Sequence, residues 1–286
     1  CYYNPTRIDR EKLFSPSMWC KRSSSIDVIA NFVNLGEEAT LRARKNTCCE
    51  IDIPYGPSEC TKYDVYGTDL PNDAPIFVFI HGGYWQELNK NVSAFPVETC
   101  VSEGIKVICV GYDLCPNVKL RDIVCQIRTA VNKIIDDAAR VWIGGHSAGA
   151  HLSASLLDIE WLKNQSNIAL LKGLVLLSGI YFLEQLITTS YNDSLKLDST
   201  EAKLMSTLNV KLQSPVQNLK ALVVVGECDS PEFVEQGRRL TKVNVDHVEY
   251  ILLRNSIDHF YMIENLLDKE FYLTKKIIGC INDTSV

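Results

Sequence analysis

The stretch IGGHSAGAHL, residues 143–152, decides the fold predicted for this chain. It holds GHSAG, a G-x-S-x-G pattern centred on Ser147, between an apolar run typical of a strand and a run with helical spacing. A serine at so sharp a turn has strained backbone geometry, so the residues two positions before and after it must be nearly free of side chain. The position of the pattern between a strand and a helix argues against a chance match. We predict that Ser147 is a nucleophile and that the N-terminus of the following helix stabilises negative charge beside it.

Strands and helices are predicted to alternate on both sides of this turn. Short apolar runs typical of strands lie at residues 63–66, 76–80, 105–112, 141–144, 173–177, 221–225 and 248–253. Helical spacing of apolar residues is found at 26–43, 91–103, 117–139 and 149–157. The alternation predicts an α/β fold, in which a mostly parallel central sheet carries helices on both faces.

We expect a single domain over residues 1–286, because the chain contains neither an internal repeat nor a long linker. Residues 1–45 are interpreted as an N-terminal arm. Residues 181–215 are polar and irregular and fit the alternation badly. Ligands of open α/β sheets bind outside the carboxyl ends of the strands, where such an insertion near the active site can form a lid. A plain surface excursion is the alternative, and the sequence favours neither.

Composition and charge argue against several classes of partner. With 46% hydrophobic and 22% charged residues, the chain is ordinary for a soluble globular protein. Its formal charge of −6 argues against a nucleic-acid surface. Its apolar runs are short and strand-like, well below the roughly 18 residues of a membrane span. We expect neither nucleic acid nor a membrane as a partner.

The eleven cysteines favour reduced thiols in a cytoplasmic protein. They are odd in number and irregularly spaced, and Cys109 lies inside an apparent core strand. Cys48 and Cys49 are adjacent, but no C-x-x-C pair accompanies them, so their spacing fits known ligand sets poorly. We expect no metal and no cofactor.

His259 is the predicted general base. A serine hydroxyl is a poor nucleophile near neutral pH and needs a base, which in turn needs an orienting carboxylate. His146 and His151 flank the nucleophile locally, and His247 precedes a strand instead of following one. His259 lies in the loop after the last predicted strand, as the chain order Ser, Asp or Glu, His requires.

Asp229 is the predicted orienting acid. The apolar strand at 221–226 is followed at once by Glu227 and, two residues later, by Asp229. Asp258 is a further rival, but a residue directly beside the base cannot easily reach the far nitrogen of its ring. We therefore place Asp229 ahead of Glu227 and Asp258.

The stretch FVFIHGGYWQ, residues 77–86, ends an apparent strand in two glycines. Either Gly82 and Gly83 form only a tight turn, or they let backbone N–H groups face a ligand. A serine hydrolase needs such donors to hold its oxyanion, one of them from the residue after the nucleophile, here Ala148. We therefore predict an oxyanion hole at Gly82, Gly83 and Ala148, with His81 holding the loop by hydrogen bonding.

Tyr84 and Trp85 follow the two glycines directly. Residues just beyond an oxyanion loop can line an aromatic substrate pocket, whereas buried aromatic side chains usually only pack. Both interpretations stay open for both residues.

Several stretches resemble the kynurenine formamidase (arylformamidase) family of α/β-hydrolases, which act in tryptophan breakdown. The resemblance is carried by HGGYWQ, GHSAGAHL, VVVGECDSPEF and DHFYMIENL. It extends to FSPSMW at 14–19, EATLRARK at 38–45, PYG at 54–56 and LSGIYFLEQL at 177–186. It therefore runs almost from end to end, including the arm and the insertion. HGGYW is the most discriminating motif, because related hormone-sensitive-lipase-like esterases usually carry a third glycine where this chain has Tyr84.

The resemblance implies an α/β-hydrolase fold and hydrolysis of N-formyl-L-kynurenine to L-kynurenine and formate. It implies Ser147, Asp229 and His259 as the catalytic triad and the Gly82-Gly83 region as the oxyanion loop. A small-molecule substrate is then the expected partner, and a homodimer is left open.

Two other functions are compatible with the same residues. A general carboxylesterase of the hormone-sensitive-lipase-like type would use the same triad but prefer acyl esters, so relative kcat/KM values separate the two activities. A non-catalytic binding protein on the same scaffold would not need to keep all three of Ser147, Asp229 and His259.

Overall fold

The computed structural model describes residues 7–136, 138, 140–163, 168–215, 219–242, 245 and 247–283. Within these residues eight strands form one sheet. They are β1 Cys49–Pro54, β2 Lys62–Tyr66, β3 Ile76–Ile80, β4 Lys106–Val110, β5 Val141–His146, β6 Leu171–Leu177, β7 Lys220–Gly226 and β8 His247–Leu253.

The sheet is mostly parallel, as predicted. Its strand order is β1-β2-β4-β3-β5-β6-β7-β8. Strand β2 pairs antiparallel with β1 and β4, and all the other pairs are parallel. The carboxyl ends of β3, β5, β7 and β8 therefore meet at one edge of the sheet, where open α/β sheets bind their ligands.

Helices cover both faces of the sheet. The described α-helices are α1 Arg7–Leu13, α2 Ser25–Asn46, α3 Val97–Ser102, α4 Leu120–Asp136, α5 Ala148–Ala154, α6 Ile159–Leu162, α7 Asn192–Leu195, α8 Ser199–Met205, α9 Pro231–Leu240, α10 Tyr261–Glu264 and α11 Tyr272–Asn282. Short 3-10 helices occupy Pro16–Trp19, Lys90–Val92, Ser155–Leu157, Ile168–Leu170, Glu184–Thr188 and Asn265–Leu267.

Alternation along the strands divides the core into two layers. In β3, Phe77 and Phe79 pack with α2, α3 and α11 on one face, whereas Val78 and Ile80 pack with α4, α5 and α9 on the other. Helix α4 buries Leu120, Ile123, Val124, Ile127, Ala130, Val131, Ile134 and Ile135, which is the three-and-four spacing of one helix face. Both faces of the sheet are therefore covered, as its apolar strands require.

Most of the predicted elements are confirmed, but the helix predicted over residues 91–103 is wrong in extent. The chain forms a 3-10 turn at Lys90–Val92 and then helix α3 at Val97–Ser102. Pro96 lies between them, and a proline inside a helix both removes an N–H donor and disfavours helical geometry in the residue before it. Strand β1 and helices α9 and α11 were not predicted.

The segment predicted as an irregular insertion, residues 181–215, contains α7, α8 and one 3-10 helix. Although the segment is polar overall, six of its apolar side chains are buried in the main core: Leu183, Leu186, Leu195, Leu197, Ala202 and Leu212. The segment is thus packed onto the body of the protein rather than extended from it.

The described cysteines are free thiols, and none of the described helices is long and apolar enough to cross a membrane. Burial raises the pKa of the Cys100 and Cys109 thiols to about 12, so these two side chains stay protonated and behave as small apolar groups.

Candidate active site

The turn between β5 and α5 holds Ser147 in strained geometry. Its backbone has φ 54° and ψ −115°, and its N–H donates to the carbonyl of Leu177 at 2.9 Å. A Cβ on Gly145 would lie 2.4 Å from the carbonyl carbon of Gly149, and one on Gly149 would lie 2.0 Å from the carbonyl oxygen of Ile80. These contacts explain why both positions of the G-x-S-x-G pattern must be glycine.

Asp229 and His259 come together at the same edge of the sheet. Asp229 follows β7 and His259 follows β8, and Asp229 Oδ2 lies 3.1 Å from His259 Nδ1. The other oxygen, Oδ1, accepts a hydrogen bond of 2.8 Å from the N–H of Ser230. Because a carboxylate only accepts, it places the ring proton on Nδ1 and leaves Nε2 as the basic nitrogen.

Burial of Ser147, Asp229 and His259 excludes bulk water from these groups. Their exposed fractions are 4%, 4% and 3%. Ser147 and His259 line one cavity. Hydrogen bonds and charges act more strongly in such an environment than in water.

The two rival carboxylates, Glu227 and Asp258, form hydrogen bonds with other residues and not with His259. Glu227 accepts a hydrogen bond from the N–H of Ser256. Asp258 accepts a hydrogen bond of 2.8 Å from Arg22 Nε. Burial alone would raise the pKa of Asp258, but the Arg22 guanidinium and further hydrogen bonds hold it below its usual value. Asp258 therefore stays ionised and paired with Arg22.

His146 supports the loop that carries His259. Its Nε2 donates a hydrogen bond of 3.0 Å to the carbonyl of His259, and the two rings lie 4.4 Å apart. Burial and the neighbouring His259 both lower the pKa of His146 well below its usual value, so its ring stays neutral. The sequence excluded His146 as the base, and this contact gives it a positioning role.

The loop after β3 brings Gly82 against the nucleophile. A Cβ on Gly82 would lie 2.9 Å from the carbonyl of His146 and 3.2 Å from Ser147 Cβ. Gly83 has φ 101°, and a Cβ there would lie 2.2 Å from the carbonyl of Glu87. Gly82 is thus required by close approach to Ser147, and Gly83 by a tight turn. The tight turn is confirmed at Gly83, and the ligand-facing role of the N–H groups stays a prediction.

Backbone N–H groups beside Ser147 are available to a ligand. Among the residues that the structure describes, none accepts a hydrogen bond from the N–H of Gly82, Gly83 or Ala148. The loop itself is fixed by His81, whose Nδ1 donates to the carbonyl of Gly82 at 2.8 Å and whose ring stacks on Tyr112 at 4.1 Å. The predicted hydrogen-bonding role of His81 is confirmed.

Aromatic side chains form much of the cavity wall. Tyr84 lines the cavity beside Ser147 and stacks on Tyr191 at a centroid distance of 4.0 Å. Trp85 does not line this cavity. It is fully buried in the core and packs edge-on against the ring of His151, which agrees with the interpretation that it only packs. Further lining residues are Pro16, Ser17, Ile29, Phe32, Val33, Glu87, Leu88 and Phe260.

Residues 13–22, which we call the N-terminal strap, contact three of the four loops that carry the site, those after β3, β7 and β8. The carbonyl of Leu13 accepts a hydrogen bond from Ser230 Oγ, beside Asp229. The carbonyl of Phe14 accepts one from the hydroxyl of Tyr84, in the oxyanion loop. Arg22 pairs with Asp258, which lies in the loop of His259 after β8. Sequence reasoning identified an arm here but not these contacts, because their acceptors are mostly backbone carbonyls.

The strap also joins residues 181–215. The hydroxyl of Tyr191 donates to Ser15 Oγ at 3.1 Å, and Ser190 donates to the carboxylate of Glu11 in α1. Both segments contribute to the cavity beside Ser147, which is lined by Pro16 and Ser17 of the strap and by Tyr191 of residues 181–215.

The described part of the chain contains no cluster of side chains suited to bind a metal ion. No group of three or more histidine, cysteine, aspartate or glutamate side chains is arranged there to hold an ion.

Comparison with known proteins assigns this geometry to a family. Residues 77–261 match the sequence family described as the alpha/beta hydrolase fold. The chain is 36% identical to kynurenine formamidase of Salmo salar over 278 residues, covering 94% of both chains. It is 35% identical to kynurenine formamidase of Danio rerio, covering 96% of this chain and 97% of the relative.

A solved structure from Silicibacter sp. TM1040 superposes with a TM-score of 0.78 at 26% identity, covering 96% of this chain and 98% of the other. The chain belongs to the kynurenine formamidase family of the alpha/beta hydrolase superfamily.

Proposed function

We propose that this chain is an arylformamidase that hydrolyses N-formyl-L-kynurenine to L-kynurenine and formate, with Ser147, Asp229 and His259 as its catalytic triad. The observation that carries the assignment of residues is the buried pair of Asp229 Oδ2 and His259 Nδ1, 3.1 Å apart, at the cavity that also exposes Ser147. The two fish relatives named kynurenine formamidase, which match this chain over nearly its full length, support the choice of substrate.

The reaction begins with Ser147. His259 Nε2 takes the proton of its hydroxyl as the oxygen attacks the formyl carbon. Asp229 stabilises the imidazolium that forms and keeps the ring oriented. Because a protonated His259 cannot act as base, the rate should fall at acid pH, and a rate that stays flat into strongly acidic solution would contradict this role.

The oxyanion then formed is held by backbone donors near Gly82, Gly83 and Ala148. Loss of one such donor typically costs about 10²–10³ in kcat. The close approach of Gly82 to Ser147 Cβ supports this role, because a formyl carbon bonded to Ser147 would lie beside the same loop.

Cleavage of the C–N bond requires a proton on the departing nitrogen. His259, now charged, donates it to the anilinic nitrogen, and L-kynurenine leaves. Water activated by the same histidine attacks the formyl ester of Ser147 and releases formate, which returns the enzyme to its starting state.

The cavity suits an aromatic leaving group. The formyl group is small, so the crowded side next to Gly82 is sufficient for it, whereas the side walled by Tyr84, Tyr191 and Phe260 can stack on an aromatic ring. This division supports an aryl formamide over a long acyl ester.

The organisation around the site is also proposed. One sheet carries all the described strands, which supports a single domain. We propose that the strap and residues 181–215 act together as the lid over the cavity, supported by the hydrogen bond between Tyr191 and Ser15. Free thiols support a reducing compartment such as the cytoplasm.

The first experiment measures turnover of N-formyl-L-kynurenine and of short and long p-nitrophenyl esters by the purified chain. We expect deformylation well above ester cleavage. Ser147→Ala should lower kcat by on the order of 10⁴ or more. The matched control is Ser155→Ala, a serine at the end of the same helical segment whose hydroxyl donates to the carbonyl of Leu152.

Two outcomes would contradict parts of this proposal. Fast ester cleavage with negligible deformylation would remove the proposed substrate while leaving Ser147 as nucleophile. Equal activity of Ser147→Ala and Ser155→Ala would remove Ser147 from the mechanism.

A further inference from the structure

The cavity carries one carboxylate that the proposed reaction does not use. Glu87 lines the cavity and is the only aspartate or glutamate among the residues that do so in the described part of the chain. Its side chain is exposed, so it lies at the mouth of the cavity and not against the buried triad.

The position of Glu87 is fixed by the oxyanion loop. Its N–H donates to the carbonyl of Gly83 at 2.9 Å, which closes the turn that begins at the two glycines. Gly83 can accept this approach only because it has no Cβ. The backbone of Glu87 is therefore fixed by a short, tight turn of the loop that lies against Ser147, and its side chain starts from the mouth of the cavity.

The charge on Glu87 acts on the aromatic wall. Burial raises the pKa of Tyr191, and the negative charges of Glu11 and Glu87 raise it further. Glu87 and Tyr191 thus belong to the same wall, and a cation bound against Tyr191 would lie within the field of Glu87.

The proposed substrate carries an α-ammonium and an α-carboxylate, and both groups would lie at the mouth of the cavity. With its formyl carbon at Ser147 and its ring between the aromatic walls, the α-ammonium and α-carboxylate point outward, away from the triad. An ammonium that leaves water needs a partner. Lysine and arginine are absent from the described cavity lining, so the carboxylate of the substrate has no cation there and stays in water.

We propose that Glu87 binds the α-ammonium of the substrate and makes the site selective for aryl formamides that carry a positive charge, while the α-carboxylate is not recognised. This inference rests on the proposed function. A charge-assisted hydrogen bond at the mouth of the cavity accounts for the selectivity.

The test uses three substrates and three proteins. The substrates are N-formyl-L-kynurenine, its Nα-acetyl derivative, which lacks the ammonium, and its α-carboxamide, which lacks the carboxylate. The proteins are the wild type, Glu87→Gln and Glu103→Gln. Glu103 is an exposed glutamate just before β4, at the opposite edge of the sheet, so its variant makes the same change in net charge.

Acetylation should lower kcat/KM of the wild type by about tenfold, whereas amidation should change it by less than about twofold. Glu87→Gln should lose about tenfold on the parent substrate and should no longer distinguish it from the acetylated one. Glu103→Gln should keep the preference of the wild type. If Glu87→Gln keeps it as well, or if amidation is the more damaging change, the inference is wrong.

A binding measurement separates this inference from the proposed function. If the wild type cleaves none of the formamides, the proposed function fails. The Ser147→Ala protein can then be titrated with L-kynurenine and Nα-acetylkynurenine, with and without Glu87→Gln. Weaker binding of L-kynurenine by about tenfold in the double variant, with no change for the acetylated compound, would support the role of Glu87. Equal affinities in both proteins would overturn it.

Discussion

The catalytic loops and the walls of the cavity are built in different ways. The loops start at the carboxyl ends of four strands and depend on close backbone packing, as at Gly82 and Gly149. The outer parts of the walls come from the N-terminal strap, from helix α2 and from Tyr191, which lie outside the sheet. The strap is joined to the catalytic loops largely by side-chain hydrogen bonds such as those of Tyr84 and Ser230. The comparison indicates that close backbone packing positions the reacting groups, whereas side-chain contacts hold the segments that surround them.

The largest expected effect is in the loops, at Asp229. Asp229→Asn preserves shape but removes the charge that fixes the ring proton on His259 Nδ1. Loss of this function in a serine triad lowers kcat by about 10⁴. Steady-state kinetics on N-formyl-L-kynurenine measures the loss, which should appear in kcat and not in KM.

Asp258→Asn is the matched control for this prediction. Asp258 adjoins His259 but accepts its hydrogen bonds from the strap and from its own turn. We expect a loss of kcat of about tenfold at most, because the substitution disturbs only the support of the loop. If the two variants lose equally, the assignment of the acid is wrong.

The second test concerns backbone packing under the nucleophile. A Cβ at Gly149 would lie 2.0 Å from the carbonyl oxygen of Ile80, whereas nothing lies within 4 Å of a Cβ at Gly279 in α11. Gly149→Ala should lower the free energy of unfolding by about 3 kcal/mol or more through overpacking. Gly279→Ala should raise it by roughly 0.5–1 kcal/mol, because alanine favours helix. Urea unfolding measures both, and equal stabilities would contradict the packing argument.

The same difference explains what could be predicted from the sequence. Glycines at fixed spacing around Ser147 and carboxylates at strand ends are local signals, so the sheet and Asp229 with His259 followed from the pattern. The contacts of Leu13 and Phe14 use backbone carbonyls, which every residue has, and therefore leave no signal in the sequence. Trp85 could not be assigned because aromatic residues both pack and line pockets. In the structure Tyr84 lines the cavity and Trp85 packs in the core, directly after the tight turn at Gly83.

The third test uses the pH dependence of stability. Burial lowers the pKa of His81, in the oxyanion loop, to about 4. It lowers the pKa of His151, whose ring donates a hydrogen bond to the carbonyl of Met205 within residues 181–215, to about 4 as well. In the unfolded chain histidine titrates near about 6.5, so the unfolded state binds more protons below that pH. Stability should therefore fall between about pH 6.5 and pH 4, by roughly 3 kcal/mol for each residue.

Urea unfolding at several pH values across this window measures the loss. His151→Gln should remove about a third of it, because His146, whose pKa is also lowered well below its usual value, titrates in the unfolded chain together with His81 and His151. Asp258, whose pKa is held below its usual value, contributes only at lower pH, since its stabilisation is lost as pH falls below about 4. A stability that stays constant across the window would contradict the neutral, buried state of these histidines.

The smallest effect is expected where the strap meets the loops, at Arg22. Arg22 pairs with Asp258 at 2.8 Å and with Glu264 at 2.7 Å, and so braces the loop of His259 from the wall side. Arg22→Ala should lower kcat by about tenfold. Arg22→Lys should restore the activity only in part, since lysine lacks the planar fork that spans two carboxylates.

Arg128→Ala is the control that separates positioning from general stability. Arg128 pairs with Asp158 at 3.0 Å between α4 and the turn before α6, away from the catalytic loops. Its loss should lower the free energy of unfolding by about 1 kcal/mol and leave kcat unchanged. If both arginine variants lower stability and leave kcat unchanged, the strap only stabilises the fold. If Arg22→Ala alone lowers kcat, then the segment that lines the cavity also positions the base beneath it.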